Sequence, residues 1–279
     1  MASMKLRRHF VCLMVLMFAR DAVADTAPST WKGHFGLDYA AAVDYHEPGV
    51  SESGTLYGLF LDWDSAPKRR WTVIGNLTAM LSNLKYEGAT QSGIPVTSQG
   101  TDHVWMSELA LGLHLGAANN GTLYAGIGAR YWTDLVEDAN TSAGVTALGY
   151  RREITYLYAP VGVRLGGALG ERWRLEIDAK YMSLIRGKVQ THLEGLDPNF
   201  NTLENTQHNG HGYAVGLRFA HRLEHNPTFT ESFMEPYYQA WSVSRSDNAT
   251  IYYAGIPVGY GWEPENTTRI AGVRFGATF

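Results

Sequence analysis

The amino-acid sequence predicts an all-β fold, a transmembrane antiparallel up-and-down β-barrel of about ten strands, with eight strands as the alternative. Three observations lead to this prediction. Segments of about ten residues alternate between apolar and polar side chains, as tilted strands do when one face meets lipid and the other a polar lumen. After the N-terminal segment, no apolar run approaches the length of about 18 residues that indicates a spanning helix. The chain also contains 16 Tyr, 8 Trp and 30 Gly, which suits strands that carry aromatic side chains at membrane interfaces.

The N-terminal segment has the pattern of a signal peptide. A basic start precedes an apolar run over residues 10–19, and a small-x-small triplet at residues 22–24 offers a cleavage site. The run is too short to span a membrane as a helix, which takes about 20 residues. We therefore expect residues 1–24 to be removed and residues 25–279 to form a single barrel domain. Cys12 is the only cysteine and lies in the removed segment, so we expect neither a disulfide nor a thiolate metal site.

Ten segments carry the alternating pattern, and turn signals separate them. In the first segment, for example, Trp31 and Leu37 lie on the apolar side, whereas Asp38 lies on the polar side. The predicted strands cover residues 31–46, 55–64, 71–86, 104–116, 122–135, 153–166, 173–186, 211–222, 232–246 and 270–279.

The ninth segment departs from the pattern. Its aromatic residues Phe233 and Trp241 share a parity with Glu235 and Gln239, so neither face is clearly apolar. Pro236 also removes a donor from the hydrogen-bond ladder, and we expect a bulge there.

The connections alternate between short and long, as they do when every second connection faces the periplasm. Short connections are predicted at residues 65–70, 117–121 and 167–172, with a somewhat longer one at 223–231. Long polar loops are predicted at residues 87–103, 136–152, 187–210 and 247–267, whereas 47–54 on the same side is short. An even strand number then places both termini in the periplasm.

Aromatic residues begin or end strands on the side of the short connections. We expect them to form a girdle at that membrane interface, where amphipathic rings are favoured. The predicted girdle consists of Trp31, Trp63, Trp71, Trp173, Phe219 and Phe279.

The face that points into the barrel carries charged side chains of both signs. Small barrels have interiors that side chains fill, and buried charges need partners. We therefore expect a salt-bridged plug, with a narrow charge-selective channel as the alternative. The predicted lumen network consists of Asp38, Asp62, Glu108, Arg130, Asp134, Arg164, Arg174, Glu176, Asp178, Lys180, Arg218 and Arg274.

The last ten residues, IAGVRFGATF over 270–279, resemble the C-terminal assembly signal of bacterial outer-membrane proteins, with alternating apolar residues and a terminal aromatic. The stretches EPYYQAW at 235–241 and GWEP at 261–264 are similar to the closing hairpin of outer-membrane β-barrel domain proteins. This resemblance implies a location in the outer membrane of a Gram-negative cell and contact with its lipid and lipopolysaccharide. It also implies recognition of the last strand by the barrel-assembly machinery, but no specific activity.

Patterns for catalysis are sparse. A barrel hydrolase with a serine nucleophile would need a His-x-Ser pair, and none occurs. An omptin-like protease also has ten strands and uses an Asp pair and an Asp–His pair at the outer rim. Here Asp62 and Asp64 fall at the predicted periplasmic end, and Asp102-His103 is an isolated neighbour pair. We do not expect an enzyme.

A transition metal could be bound by His208 and His211 together with Glu204, because two imidazoles and a carboxylate are suitable ligands. In a polar loop such residues are more often solvated, so we expect no metal and no cofactor.

Two classes of function stay open on this basis. The first is a structural or adhesin-like barrel with a plugged lumen, whose exposed loops bind a surface partner. The second is a narrow porin-like diffusion channel, and a surface hydrolase is a minor third. In the loop at 247–267, exposed aromatic residues could bind a partner or fold over as a lid, or simply extend the last two strands. The formal charge falls from −4 to −7 when the signal segment is removed, so we expect no nucleic-acid partner.

Overall fold

The computed structural model describes residues 31–65, 70–90, 92–115, 120–141 and 144–279. The predicted signal peptide lies outside these residues. The described chain forms fifteen strands and a short 3-10 turn at Leu193–Gly195, and it contains no helix long and apolar enough to cross a membrane. The strands are β1 (Trp31–Glu47), β2 (Val50–Ser65), β3 (Trp71–Ala89), β4 (Pro95–Leu115), β5 (Gly121–Val136), β6 (Ala139–Asn140), β7 (Thr146–Ala147), β8 (Arg151–Ala168), β9 (Trp173–His192), β10 (Thr202–Gln207), β11 (Gly210–Arg222), β12 (Glu231–Val243), β13 (Ala249–Tyr253), β14 (Ile256–Gly261) and β15 (Asn266–Thr278).

Ten of these strands close into one antiparallel barrel. Each barrel strand pairs with the next one along the chain, and β15 pairs with β1 to close the ring. The order around the barrel is β1, β2, β3, β4, β5, β8, β9, β11, β12 and β15. The predicted fold class and the strand number of ten are confirmed, and the alternative of eight strands is wrong.

The alternation in the sequence corresponds to an apolar outer wall and an interior that is filled with charged, aromatic and aliphatic side chains. Leu37 and Leu59 are more than half exposed on the outside, whereas Asp38 and Phe60, next to them in sequence, are buried inside. A continuous exposed apolar surface of this kind is expected where a barrel contacts lipid. The core of this fold is therefore the lumen itself.

The strand β12 is the exception that the sequence indicated. Phe233 and Trp241 point into the lumen and are buried, together with Glu235, whereas Met234 faces outward. The bulge expected at Pro236 is wrong, because β12 pairs with β15 in one continuous register from Glu231 to Val243.

Strands extend well beyond the membrane-crossing length on the side of the long connections. The loop predicted at 87–103 is wrong, because β3 and β4 pair without interruption up to Ala89 and Pro95 and are joined by a short turn. Lys85 and Glu87 are exposed on the outer face of this extension. In this extension the outer face is polar and the inner face carries the buried Leu84 and Tyr86. The parity of the apolar residues is therefore opposite to that of the lipid-facing part, and the pattern used to identify strands in the sequence is lost.

Aromatic side chains ring the apolar wall at both ends. All six residues of the predicted girdle lie at the end of the barrel where the start of β1 meets Phe279. Two backbone hydrogen bonds between Gly33 and Phe279 join the strands there. The Trp63 ring lies on Gly75 and the Phe279 ring on Gly33, so closely that a Cβ on either glycine would overlap the ring.

A second belt, which the sequence analysis missed, lies at the other end of the apolar wall. Cross-strand neighbours in it include Tyr39 with Tyr57, Trp105 with Tyr131, and Tyr181 with Tyr213. Eight residues separate Trp31 from Tyr39 along β1. At ~3.3 Å per residue and a tilt of ~40°, this spacing gives about 20 Å between the belts, close to the ~25 Å apolar band of outer-membrane barrels.

Candidate functional site

Charged side chains cross the lumen between the two belts. Arg218 on β11 contacts Glu235 on the neighbouring strand at 2.5 Å and Asp62 on β2, across the barrel, at 3.1 Å. Arg274 contacts Asp38 at 2.8 Å. The contact of Arg218 with Asp62 therefore joins strands that are not neighbours, whereas Arg274 and Asp38 are cross-strand partners on the paired strands β15 and β1.

Further ion pairs cross the lumen in other directions. Lys180 on β9 contacts Glu108 on β4 at 2.6 Å, and Arg164 on β8 contacts Asp64 on β2 at 3.0 Å. Arg164 also contacts Asp178 at 3.0 Å. Arg174 contacts Glu176, two residues further along the same strand, at 2.6 Å. All of these residues except Asp64 belong to the predicted network, and the structure brings them into contact.

The ion pairs surround a cavity of about 100 Å³, whose walls include Asp62, Glu108, Arg164, Lys180 and Arg274. Space of this size holds a few water molecules, since each needs roughly 15 Å³. It is smaller than most small-molecule sites, which measure ~300–1,000 Å³.

A second cluster lies above the outer belt and is built around one guanidinium, that of Arg152. It contacts Glu52 at 2.6 Å, Asp134 at 3.1 Å, Glu263 at 3.3 Å and Glu47 at 3.4 Å. Four buried carboxylates thus share one cation. The network predicted from sequence contains only Asp134 from this group, because the segments 47–54, 136–152 and 247–267 were interpreted as loops.

Burial changes the protonation of this upper cluster, which lies beyond the membrane-crossing part of the barrel. The pKa of Glu263 is raised to about 7, chiefly by burial and also by the neighbouring Glu47 charge, against the opposing effect of Arg152. Burial also raises the pKa of Asp102 to about 7, to which the charge of Asp134 contributes. Carboxylates in excess of cations therefore hold protons at a pH where exposed acids are ionised.

Arg130 points into the lumen, as predicted, but the described chain offers it no carboxylate. Its guanidinium lies 4.8 Å from the ring centre of Trp132 and 5.7 Å from that of Tyr156. The side chain is buried, and its Nε and Nη1 atoms have no hydrogen-bond partner among the described residues.

The residues considered as a metal site do not come together. His208 contacts Asp247 at 2.7 Å, Glu204 accepts hydrogen bonds from Lys188 and Gln190, and His211 stacks on Tyr181.

The pairs considered for catalysis are also separated. Asp102 is buried and accepts a hydrogen bond of 2.7 Å from Trp132 Nε1, whereas His103, the next residue, is exposed on the opposite face of the strand. Asp62 and Asp64 are each occupied by an arginine of the lumen.

The loop predicted at 247–267 forms a separate hairpin of β13 and β14 above the barrel. It does not continue β12 and β15, which end and begin at Val243 and Asn266. Tyr253 packs edge-on against Phe200, at 5.0 Å between ring centres, and so ties the hairpin to the segment before β10. Beyond this contact, apolar side chains point into solvent, with Ile256 66% and Tyr260 69% exposed.

Comparison with known proteins establishes the fold. No family model and no curated protein matches the chain. It is similar in structure to the outer membrane protease OmpT from Escherichia coli, with a TM-score of 0.56 at 12% sequence identity, over 92% of this chain and 100% of that chain.

More distant likenesses are to the β domain of the Bordetella autotransporter BrkA (TM-score 0.41, 14% identity, 88% and 98% covered) and to Ail, the attachment invasion locus protein of Yersinia pestis (TM-score 0.33, 12% identity, 90% and 100% covered). The chain has the fold of a bacterial outer-membrane β-barrel.

Proposed function

We propose that this protein is a non-enzymatic outer-membrane barrel with a closed lumen, which binds a partner protein through the β13–β14 hairpin on the cell surface. The apolar wall between the two aromatic belts faces membrane lipid, and lipopolysaccharide surrounds the outer belt. Both termini lie in the periplasm, and β15 is the strand that the barrel-assembly machinery recognises.

The proposal of a closed lumen rests on the ion pairs that span the lumen. Lys180 with Glu108 and Arg164 with Asp64 join strands that are not neighbours in the barrel. An ion that crossed the lumen would have to break such partly buried pairs, and leaving a charge unpaired there costs several kcal/mol. A narrow diffusion channel is therefore the less favoured function.

Planar-bilayer recordings of the refolded protein test the closed lumen. We expect no steady single-channel steps at moderate voltage in molar salt. Regular steps of one size in every preparation would contradict the proposal and favour the channel.

The observation that supports partner binding is the composition of the hairpin surface. Ile256, Val258 and Tyr260 are all more than half exposed, on a hairpin held to the barrel rim. Exposed apolar clusters on a rigid support are typical of protein-binding surfaces, and aromatic residues contribute most to such interfaces. The described part of this hairpin has no lysine, arginine or acidic residue between Ala249 and Gly261, so a charged partner surface is not favoured.

Cell adhesion provides the test of partner binding. Bacteria that display the protein are applied to wells coated with fibronectin, laminin or collagen, beside cells with an empty vector. We expect adhesion to at least one coat, and its loss in a Val258→Ser/Tyr260→Ser variant. The matched control is Val145→Ser/Leu148→Ser, which removes exposed apolar residues from another rim loop. Adhesion that is unchanged in the hairpin variant, or equally reduced in the control, would contradict the proposal.

A non-enzymatic role agrees with the geometry of the acidic and histidine residues, because none of the candidate pairs has the arrangement that hydrolysis requires. Protease and lipase assays on refolded protein test this part, and turnover above that of a denatured sample would contradict it.

A further inference from the structure

Several buried hydrogen-bond donors of the upper lumen have no partner in the described part of the chain. Buried side-chain atoms without a partner in the described chain include Arg130 Nε and Nη1, Trp241 Nε1, Asn266 Nδ2 and Thr268 Oγ1. The arginine, indole and amide nitrogens can only donate, and the hydroxyl can do so. Native proteins leave few buried donors unpaired. Several such donors therefore indicate a bound ligand that accepts hydrogen bonds from them.

These donors surround a single tyrosine. The Arg130 guanidinium lies 5.7 Å from the centre of the Tyr156 ring, and the Trp241 ring lies 5.8 Å from it. The Tyr156 hydroxyl donates to Asn266 Oδ1 at 3.3 Å. Thr268 is the cross-strand neighbour of Trp241. Three strands, β5, β12 and β15, therefore bring unpaired donors to the surroundings of Tyr156 on β8.

The positive charge of Arg130 has no carboxylate partner among the described residues. Arginine stays protonated in proteins, and a buried cation without a counter-charge is very costly. The carboxylates above it are shared by Arg152, and Glu108 below it is held by Lys180 and by the hydroxyl of Tyr158. The faces of Trp132 and Tyr156 offset part of this cost, but they leave the in-plane N–H groups unmet.

We propose that Arg130, Trp241 and Asn266 bind a small inorganic anion, of which chloride is the most abundant, as a resident part of the upper lumen. A monatomic anion is favoured over a carboxylate ligand because Arg130 is only 2% exposed and lies against the Trp132 and Tyr156 rings, which a larger ligand would have to displace. Water could accept from these donors, but it could not neutralise the charge. The proposal is independent of whether the hairpin binds a partner.

Crystals of the detergent-solubilised protein soaked in sodium bromide give a direct test, because bromide replaces chloride and scatters anomalously. We expect an anomalous peak within hydrogen-bond distance of Arg130 Nε or Nη1. Density at this position without anomalous signal would identify water and overturn the proposal, as would a peak only at the protein surface.

Thermal unfolding in chloride or gluconate at equal ionic strength gives a second test, since gluconate is too large for the site. Chloride at 100 times its Kd is expected to raise the Tm by about 5–10 °C. Arg130→Met should abolish this difference. Should that variant fail to fold, Trp241→Phe keeps the ring, removes one donor, and should shift the chloride midpoint about tenfold upward. A Tm that is equal in both salts, or a chloride response that persists in Arg130→Met, overturns the proposal.

Discussion

Replacement of Arg152 by methionine tests directly how much its charge stabilises the upper cluster of carboxylates. Methionine keeps most of the length and volume of the side chain, so the change removes mainly the charge. The guanidinium is the only cation in contact with Glu47, Glu52, Asp134 and Glu263 within the described chain. Without it, four buried carboxylates lie close together with no counter-charge.

The expected loss of stability follows from this geometry. Removing one partner of a buried ion pair costs about 3–5 kcal/mol, because the other charge stays buried and unpaired. For a domain of this size, each kcal/mol corresponds to ~2–4 °C in Tm. We therefore expect Arg152→Met to lower the Tm by roughly 6–20 °C at pH 8.

The loss must depend on pH in a defined direction. Burial raises the pKa of Glu263 to about 7, above its ordinary value near 4.5. Between these values the folded protein holds a proton that the unfolded chain has released, so stability falls as the pH rises through this window and is constant above it. At about 1.4 kcal/mol per pH unit, the ionisation of Glu263 alone lowers the free energy of unfolding by roughly 3 kcal/mol across this window. Loss of the Arg152 charge moves the upper end of the window to higher pH, because that charge favours the ionised carboxylates.

The assay is thermal unfolding in detergent, followed by circular dichroism and by the heat-dependent shift in gel mobility, at pH 5 and pH 8. We expect Arg152→Met to lose much less stability at pH 5, where the carboxylates can be protonated. The control is Arg245→Met, which removes an exposed arginine that lies over the Trp262 ring, outside the cluster. An equal loss at both pH values, or no loss at pH 8, would show that Arg152 does not serve as the counter-charge of these carboxylates.

Two further predictions concern the wall and the lumen. Arg164→Ser removes the contacts with Asp64 and Asp178. We expect this variant to produce single-channel steps in planar bilayers that the wild-type protein lacks. A variant without such steps would show that other side chains suffice to close the lumen. Gly75→Val should displace the Trp63 ring that lies on this glycine. We expect the free energy of unfolding to fall by about 1–3 kcal/mol, measured as a drop in Tm. An unchanged Tm would show that the ring moves at no cost in free energy.

The sequence is informative about the part of the barrel that lies in lipid. There, apolar and polar environments are fixed on opposite faces of every strand, so that parity alone places Leu37 outside and Asp38 inside. Above the outer belt the outer face meets water, and the inner face packs buried apolar side chains such as Leu84 and Tyr86 beside charged groups. Lys85 and Glu87 are outward residues of β3, yet they look like loop residues in the sequence. For the same reason the Arg152 cluster was missed.

Two features of the lumen could not be predicted from parity. The first is an interior that is itself aromatic, since Phe233 lies under the Arg218 guanidinium at 4.3 Å and therefore reverses the apparent parity of β12. The second is the choice of ion-pair partners. Parity places both Arg130 and Asp134 inside the barrel. The stagger of the strands, which parity does not show, brings Asp134 into contact with Arg152, and Arg130 packs against aromatic rings instead.

The upper cluster also connects the barrel to its proposed binding surface. Glu263, which Arg152 contacts, lies at the base of the β13–β14 hairpin, where its backbone N–H donates to Ser246 Oγ at 2.8 Å. Its carbonyl accepts from the Ser246 N–H at 2.9 Å. The Arg152 cluster therefore fixes the hairpin at its root, while the ion pairs that close the lumen lie below the outer belt and do not include Arg152. It follows that Arg152→Met should weaken adhesion at pH 8 and leave the bilayer recordings silent, which separates anchoring of the hairpin from closure of the lumen.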